Sequence, residues 1–224
     1  MTSAADDLAT SVRHDAPQRP SDAATLIVIR REPGMARILM GQRHAGMKFM
    51  PDKFVFPGGR LDAPDGRVKP VVDLAPQVLD KLLLRMRGRA SPARARGLAV
   101  TALRETLEET GLSLAGAGRA AYDLSGLRLF ARAITPPGRT RRFDSRFFVI
   151  DAAAVEDAAA AASGELRDIR WFTFAEALGL DLPVITADTL ARLRPVVEDG
   201  GWPAADGPVT FQHQRHGRWQ VEML

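Results

Sequence analysis

The sequence predicts an α/β protein, a central mixed β-sheet flanked by helices on both faces. Three observations carry that expectation. Short apolar runs rich in Ile, Val and Phe recur between glycine and proline turns, amphipathic segments at helical spacing lie among them, and the two kinds interleave without the regular βαβ rhythm of an all-parallel sheet. With 224 residues and 46% hydrophobic content, the chain supports one sizeable core, and residues 20–224 are expected to form a single domain.

In chain order, residues 1–19 are small, polar and aperiodic and read as a mobile N-terminal arm. Residues 23–30 form one apolar run and residues 37–43 another, with Glu32-Pro33-Gly34 as turn chemistry between them, which predicts a β-hairpin. Phe54-Val55-Phe56 predicts a short strand closed by Pro57-Gly58-Gly59, where backbone lacking a Cβ admits a close approach. Leu74, Val78, Leu79, Leu82 and Leu83 recur at helical spacing and predict a helix over 71–87, stopped at Gly88. Residues 93–110 predict a second helix, with Leu98, Ala102, Leu103 and Leu107 on one side and Gly111 at the left-handed position beyond its end. Further strands are expected at 127–134, 143–150 and 169–173, a helix from 182 or 184 to 197, and a terminal hairpin from 209–211 and 218–221.

Cysteine is absent, which removes disulfides, zinc-thiolate sites and thiol nucleophiles, so any metal sits on oxygen or imidazole ligands. No basic region precedes an apolar core near the N-terminus, and no apolar run reaches the roughly 20 residues that span a bilayer; a cytoplasmic protein without a membrane partner is expected. Of 31 basic residues only 4 are lysine. The formal net charge is +4, yet residues 66–97 alone hold eight cations against two acids, so the remainder of the chain is slightly acidic. That segment has the charge of a lid over an anionic substrate. A nucleic-acid arm is the weaker reading, because few aromatic residues interleave with its arginines.

The informative stretch is Arg104-Glu105-Thr106-Leu107-Glu108-Glu109-Thr110-Gly111-Leu112. On a helix Glu105, Glu108 and Glu109 stand at i, i+3 and i+4, so three carboxylates share one face and repel by a few tenths of a kcal/mol per exposed pair, roughly, and more when buried. A hard divalent cation removes that repulsion. The plain alternative is a solvated acidic face with an Arg104–Glu108 pair.

This stretch resembles the second half of the Nudix box, whose pattern is a glycine, five residues, a glutamate, seven residues, then R-E-U-x-E-E-x-G-U, with U a bulky aliphatic. Gly59 fits the opening glycine, Asp65 stands where the pattern has its first glutamate, with Asp62 or neither aspartate as the alternatives, and Thr106 takes the first aliphatic position. Between Asp65 and Arg104 lie 38 residues in place of seven, so an insertion of 31, a basic helical segment at about 66–96, splits the box. Downstream, Glu165 precedes Trp171 by five intervening residues, similar to a loop by which some Nudix hydrolases supply a further ligand or base.

The resemblance implies a Nudix α/β/α sandwich and a pyrophosphohydrolase using Mg²⁺ or Mn²⁺. The implied metal ligands are Glu105, Glu108, Glu109, Glu165 and the carbonyl of Gly58 or Gly59. Arg104 is expected to orient Glu105 rather than touch substrate, and Glu105 and Glu165 both stand as general base. Residues 49–62, the split box and residues 141–148 are similar to the peroxisomal coenzyme A diphosphatase branch, although the upstream coenzyme A signature is poorly kept around Gly41-Gln42-Arg43. Coenzyme A or its acyl forms, dinucleotides and nucleotide sugars are therefore all candidate small-molecule diphosphate substrates, with Arg43, Arg60, Arg141 and Arg142 as candidate phosphate contacts. For the last two the plain alternative is a solubilising edge strand. A non-catalytic nucleotide-sensing module of the same fold is the runner-up, disfavoured because all three box glutamates are present. His44, His213 and His216 show no ligand spacing, the last two being expected to decorate the terminal hairpin; Trp202 and Trp219 are expected to pack in the C-terminal region, where homodimer contacts are allowed but have no pattern behind them.

Overall fold

The computed structural model describes residues 18–47, 49–114, 122–157 and 163–224. All of the expected N-terminal arm except Gln18 and Arg19 lies outside them. The first hairpin forms as expected, from β1 (Ser21–Glu32) and β2 (Met35–Arg43), with Gly34 at φ 74° in the turn. β3 (Phe54–Val55) follows, and the expected glycine corner is itself a strand, β4 (Gly58–Arg60), lying antiparallel on the first half of β1. Glycine makes that possible: a Cβ on Gly58 would stand 2.5 Å from the Ala24 carbonyl oxygen.

The helix expected over 71–87 is shorter. A 3-10 turn (Asp65–Arg67) and extended chain come first, and α1 runs only Pro76–Leu83, ending five residues before Gly88. Proline at its first position sets the start. Beyond it the chain turns, and Arg132 on the sheet donates from Nη1 to the carbonyls of Leu84 (3.2 Å) and Arg85 (3.1 Å), taking up groups that a longer helix would have bonded internally. α2 (Pro92–Thr110) is capped by the Ser91 side chain on the Arg94 amide and closed by Gly111 at φ 77°. β5 (Leu112–Leu114), β6 (Arg128–Ile134), β7 (Phe143–Asp151), β8 (Val155–Asp157) and β9 (Leu166–Thr173) follow, then α3 (Phe174–Leu178), α4 (Val184–Glu198) and the terminal hairpin of β10 (Thr210–Arg215) and β11 (Arg218–Met223).

The main sheet runs β11-β10-β6-β7-β1-β2-β3, with β4 on β1 and β9 on β2. It is mixed: β1 lies parallel to β7 and β10 parallel to β6, the other pairs being antiparallel. β5 and β8 form a separate two-stranded ladder. β1 is buried on both faces, which explains its unbroken apolar run. Leu26 and Val28 face a cluster with α1 and α2, through Val78, Leu82, Leu98 and Ala102, while Ile27 and Ile29 face Ala177, Leu190 and Leu193 of α3 and α4. The expected sandwich is therefore the observed one.

The segment between Asp65 and Arg104 adds apolar side chains to that core rather than standing apart as a charged lid: Leu74, Val78, Leu82 and Met86 are all buried. Several of its cations are spent on the chain itself, Lys81 on the Gly207 carbonyl, Arg85 on Glu222, Arg94 on Asp22 and Arg96 on Asp73. Beneath it lies a charged cluster with no signal in the sequence. Arg132 grips Asp144 with both ends of its fork (2.8 and 2.7 Å), and Arg146, 1% exposed, reaches the Asp144 carbonyl and Asp22. His213 does not decorate the hairpin surface but is buried, its ring on Phe211 and its Nε2 2.9 Å from Glu222. Trp202 packs near the second cluster, whereas Trp219 is 47% exposed on the edge strand, contrary to expectation. Among the described residues, no helix is long and apolar enough to cross a membrane.

Candidate active site

The split box closes in space. β4 carries the two glycines to the flank of α2, where each meets a different glutamate. The Gly58 amide donates to Glu109 Oε2 at 2.9 Å, and a Cβ on Gly59 would fall 2.3 Å from the carboxylate carbon of Glu105. Only glycine admits Glu105 in that place. Thr106 fills the pattern's aliphatic position without an unmet polar group, since its buried hydroxyl donates to the Ala102 carbonyl at 2.7 Å.

Arg104 is the hub. A guanidinium has five N–H groups, and all of them are engaged: Nε on Asp65 Oδ1 (3.0 Å), Nη2 on Asp65 Oδ2 (3.0 Å) and the Arg60 carbonyl (3.2 Å), and Nη1 on Glu105 (3.0 Å) and Glu108 (3.1 Å). Burial opposes its charge, but Asp65, Glu105 and Glu108 outweigh that and hold it firmly protonated. No donor remains for a substrate. Asp65, the residue in place of the box's first glutamate, is buried and also accepts from the Asp62 amide and the Thr101 hydroxyl (2.8 Å). Burial pushes its carboxyl up, and these donors, Arg104 foremost, bring it below the usual range.

The three box glutamates differ in setting. Glu109 is 3% exposed, and burial pushes its carboxyl up to about 8; the Gly58 amide opposes this, while the charge of Glu105 adds to it. Glu105 is raised chiefly by burial, with Arg104 pulling it back. Glu108 is half exposed and paired with Arg104. Glu165 approaches from the chain entering β9: the Ser163 amide donates to the Glu108 carbonyl, the His44 amide to the Glu165 carbonyl (3.1 Å), and the Glu165 charge acts on both Glu105 and Glu109. Among the described residues no three acidic or histidine side chains form a ready-closed metal cage; Glu105 and Glu108 are turned to Arg104, and Glu109 to Gly58.

The arginines are placed unevenly. Arg43 is near enough to act on Glu109, and its Nε donates to the Phe49 carbonyl at 3.0 Å. Arg60 leaves β4 exposed, with its carbonyl on Arg104. Arg142 is tied to the carbonyls of Thr135 (3.0 Å) and Gln18 (2.8 Å), and Arg141 is exposed beside it; no contact brings either to the glutamates. Sequence reasoning missed Thr101 and Tyr122. Thr101 lies three residues before Arg104, one helical turn away, so its reach toward Asp65 was a usable signal. Tyr122, whose hydroxyl is pushed up by burial and by the nearby charge of Asp65, lies in irregular chain and had none.

The fold class is an α/β/α sandwich similar to that of Nudix domains. The family model of the NUDIX domain matches residues 92–193, starting at the first residue of α2 and taking in the helix half of the split box. A NUDIX hydrolase from Alicyclobacillus acidocaldarius superposes with a TM-score of 0.56 at 24% identity, over 83% of this chain and 98% of that one. The NUDIX domain of Shewanella oneidensis NrtR, in a complex with ADP ribose, gives 0.50 at 12% identity, over 88% and 99%. No curated protein matches the chain. The two structures bear on fold alone; the family match supports a pyrophosphohydrolase.

Proposed function

We propose that the chain is a divalent-metal-dependent pyrophosphohydrolase that cuts the diphosphate linkage of a nucleoside-diphosphate-type small molecule. The carrying observation is the closed split box, with Glu105 and Glu109 held against successive glycines and Arg104 fully engaged behind them. The residues fit a hard cation. A carboxylate buried as deeply as Glu109, with no cationic partner in contact, favours either a proton or a metal ion beside it, and the donor set is all oxygen. Glu105, Glu108, Glu109, Glu165 and the Gly59 carbonyl would hold Mg²⁺ or Mn²⁺, which supplies charge neutralisation at the phosphates and acidifies water.

The remaining work falls to the chain. Arg104 fixes the rotamer of Glu105, and Glu105 or Glu165 takes the proton of the attacking water. Arg43, Arg60, Arg141 and Arg142 bind phosphate oxygens. Coenzyme A, dinucleotides and nucleotide sugars all carry the required linkage.

The test is a panel of coenzyme A, NADH, ADP-ribose, diadenosine polyphosphates and nucleoside triphosphates with Mg²⁺ or Mn²⁺, its products read by mass spectrometry. Cleavage within the diphosphate that stops with EDTA is expected. Tight binding of a nucleotide without turnover of any compound would replace this reading with a sensing module.

A further inference from the structure

β11 ends the main sheet, and among the described residues no strand lies beyond it. The hairpin decides which of its backbone groups are left over. Its turn has His216 (φ 50°) and Gly217 (φ 75°) between the paired Arg215 and Arg218. At the far end of the ladder Leu224 and Val209 exchange both amide bonds, Leu224 donating to the Val209 carbonyl at 2.9 Å and Val209 to the Leu224 carbonyl at 3.2 Å. In an antiparallel pair such bonded positions alternate with unbonded ones. Glu222, Gln220 and Arg218 therefore turn their N–H and C=O groups to β10, and Trp219, Val221 and Met223 turn theirs outward. The register runs unbroken from Thr210 and Met223 to Arg215 and Arg218, so no bulge shifts this alternation.

The side chains of the same three residues are apolar and exposed, by 47% for Trp219, 48% for Val221 and 57% for Met223. Alternation along the strand puts them on one face. On that face their β10 neighbours Thr210 and Gln212 are buried, and Gln212 donates to Asp188 of α4, so the helix covers β10 and stops a strand short of the edge. Edge strands are commonly blunted by charge, proline, a bulge or short length. The other side of the sheet is protected in this way. β9 carries Arg167, Asp168 and Arg170 and a register shift against β2, and β3 is two residues long, with the Phe54 amide on the Asp181 carbonyl at 3.0 Å. The three outward positions of β11 have no such device.

The geometry points to β11 as a dimer edge, on which a second copy of this chain lays its own β11 antiparallel about a two-fold axis at Val221, joining the two sheets into one. A two-fold contact requires a strand that complements itself, and in this register β11 does. Trp219 faces Met223 of the second copy, a thioether against an indole, and Val221 faces its own equivalent. These are the bonded positions of the new pair, so every outward N–H and C=O group of both strands is satisfied. On the opposite face Gln220 stands across from Glu222, and Arg218 lies diagonal to Glu222, so no like charges oppose each other. The apolar shelf beside α4 becomes one stripe shared by both copies. Pairing β11 instead with β9 or β3 of another copy would build an open head-to-tail chain, and the charges and short length at those strands oppose it.

Sedimentation velocity of the full chain from about 1 to about 100 μM, a range bracketing a micromolar dissociation constant, tests the pairing, beside hydrogen exchange of assigned amides in dilute and concentrated samples. A concentration-dependent shift to a species of twice the 24.3 kDa chain mass is expected. With it, exchange at Trp219, Val221 and Met223 should slow by about tenfold or more, while Gln220 and Glu222, already bonded to β10, are slow in both samples. Val221→Lys sets two ammonium groups face to face at the axis. It should keep the chain monomeric with a melting temperature near that of the unaltered protein, since the side chain of Val221 faces solvent in a single copy. The exchange pattern is read on the unaltered protein and decides the matter even if Val221→Lys folds poorly. A monomer over the whole range with fast outward amides, a dimer whose outward amides stay fast, or a dimer that survives Val221→Lys overturns the proposal. So does a monomer with those amides slow, which would put another segment of the same chain on the edge. The dimer stands or falls apart from the proposed hydrolysis, because β11 contributes none of the candidate site residues.

Discussion

Asp65 holds Arg104 by two parallel hydrogen bonds of 3.0 Å, across 38 intervening residues. The aspartate is one methylene shorter than the glutamate of the pattern, and the 3-10 turn that begins with it sits close on α2: a Cβ on Gly97 would stand 3.0 Å from the Gly66 Cα. Close packing there makes up the missing reach.

Asp65→Asn should therefore loosen Arg104 and, through it, Glu105. Loss of about ten- to a hundredfold in kcat is expected, the range for residues that orient a metal-site ligand, with a smaller change in KM. The carboxyl of Asp65 lies below its unfolded value near 3.8, so its contribution to stability is present above that pH and is lost as pH falls through the lower, folded value. Thermal denaturation between about pH 2 and 6 should show a shallower acid limb in Asp65→Asn than in the unaltered protein. Identical limbs would mean that the bidentate pair contributes nothing.

The two glycines of β4 should respond differently to alanine. At Gly59 the added methyl meets a side chain, Glu105, at 2.3 Å; at Gly58 it meets backbone, the Ala24 carbonyl, at 2.5 Å. A side chain can swing away, so Gly59→Ala should keep its melting temperature and lose about a hundredfold or more in kcat, of the order seen when a catalytic group is misplaced by about 1 Å. Backbone in the sheet cannot move so cheaply, and Gly58→Ala should lose stability first. Calorimetry beside steady-state kinetics separates the two; a normally active Gly59→Ala would remove Glu105 from the chemistry.

Glu109 makes a prediction of opposite sign to Asp65. Its folded pKa of about 8 lies above the unfolded value of 4.5, so without metal its contribution to folding is complete below about pH 4.5 and is lost as pH rises through 8. A divalent cation competes with that proton. In EDTA the melting temperature should decline between about pH 5 and 8, and the stabilisation given by Mn²⁺ should grow over the same interval. Glu109→Gln should flatten both curves. A Mn²⁺ effect independent of pH would place the ion elsewhere.

How much of this was legible beforehand follows from the range of each interaction. The hairpins, the box helix and its glycine cap are written in local periodicity and appear where expected. β4, the β5–β8 ladder and α3 were missed because three- and five-residue elements are too short for a period to register, and because Gly58 and Gly59 signal turn chemistry although tertiary contact makes them strand. The glutamates were readable from i, i+3, i+4 spacing. Thr101, Tyr122 and the Asp22–Arg146–Asp144–Arg132 cluster depend on pairings across the fold, which no local spacing encodes.

The segment that splits the box supplies the last test, because a lid and a piece of core respond differently to the same substitution. A lid that closes over substrate is dispensable for folding, and trimming its apolar residues would act on KM. In the structure Leu82 is 2% exposed, and it shares a cluster with Val78, Leu98 and Phe148, so the segment and the box helix are packed as one unit. Truncating a leucine in such a site removes its transfer free energy and leaves a cavity, at a cost of about 2–5 kcal/mol. Leu82→Ala should thus lower the urea midpoint with an unchanged slope, while kcat and KM measured well below the transition stay within about twofold, since global stability and site geometry separate when the folded population is still high. If Leu82→Ala instead left the midpoint alone and raised KM, the segment would be a lid after all.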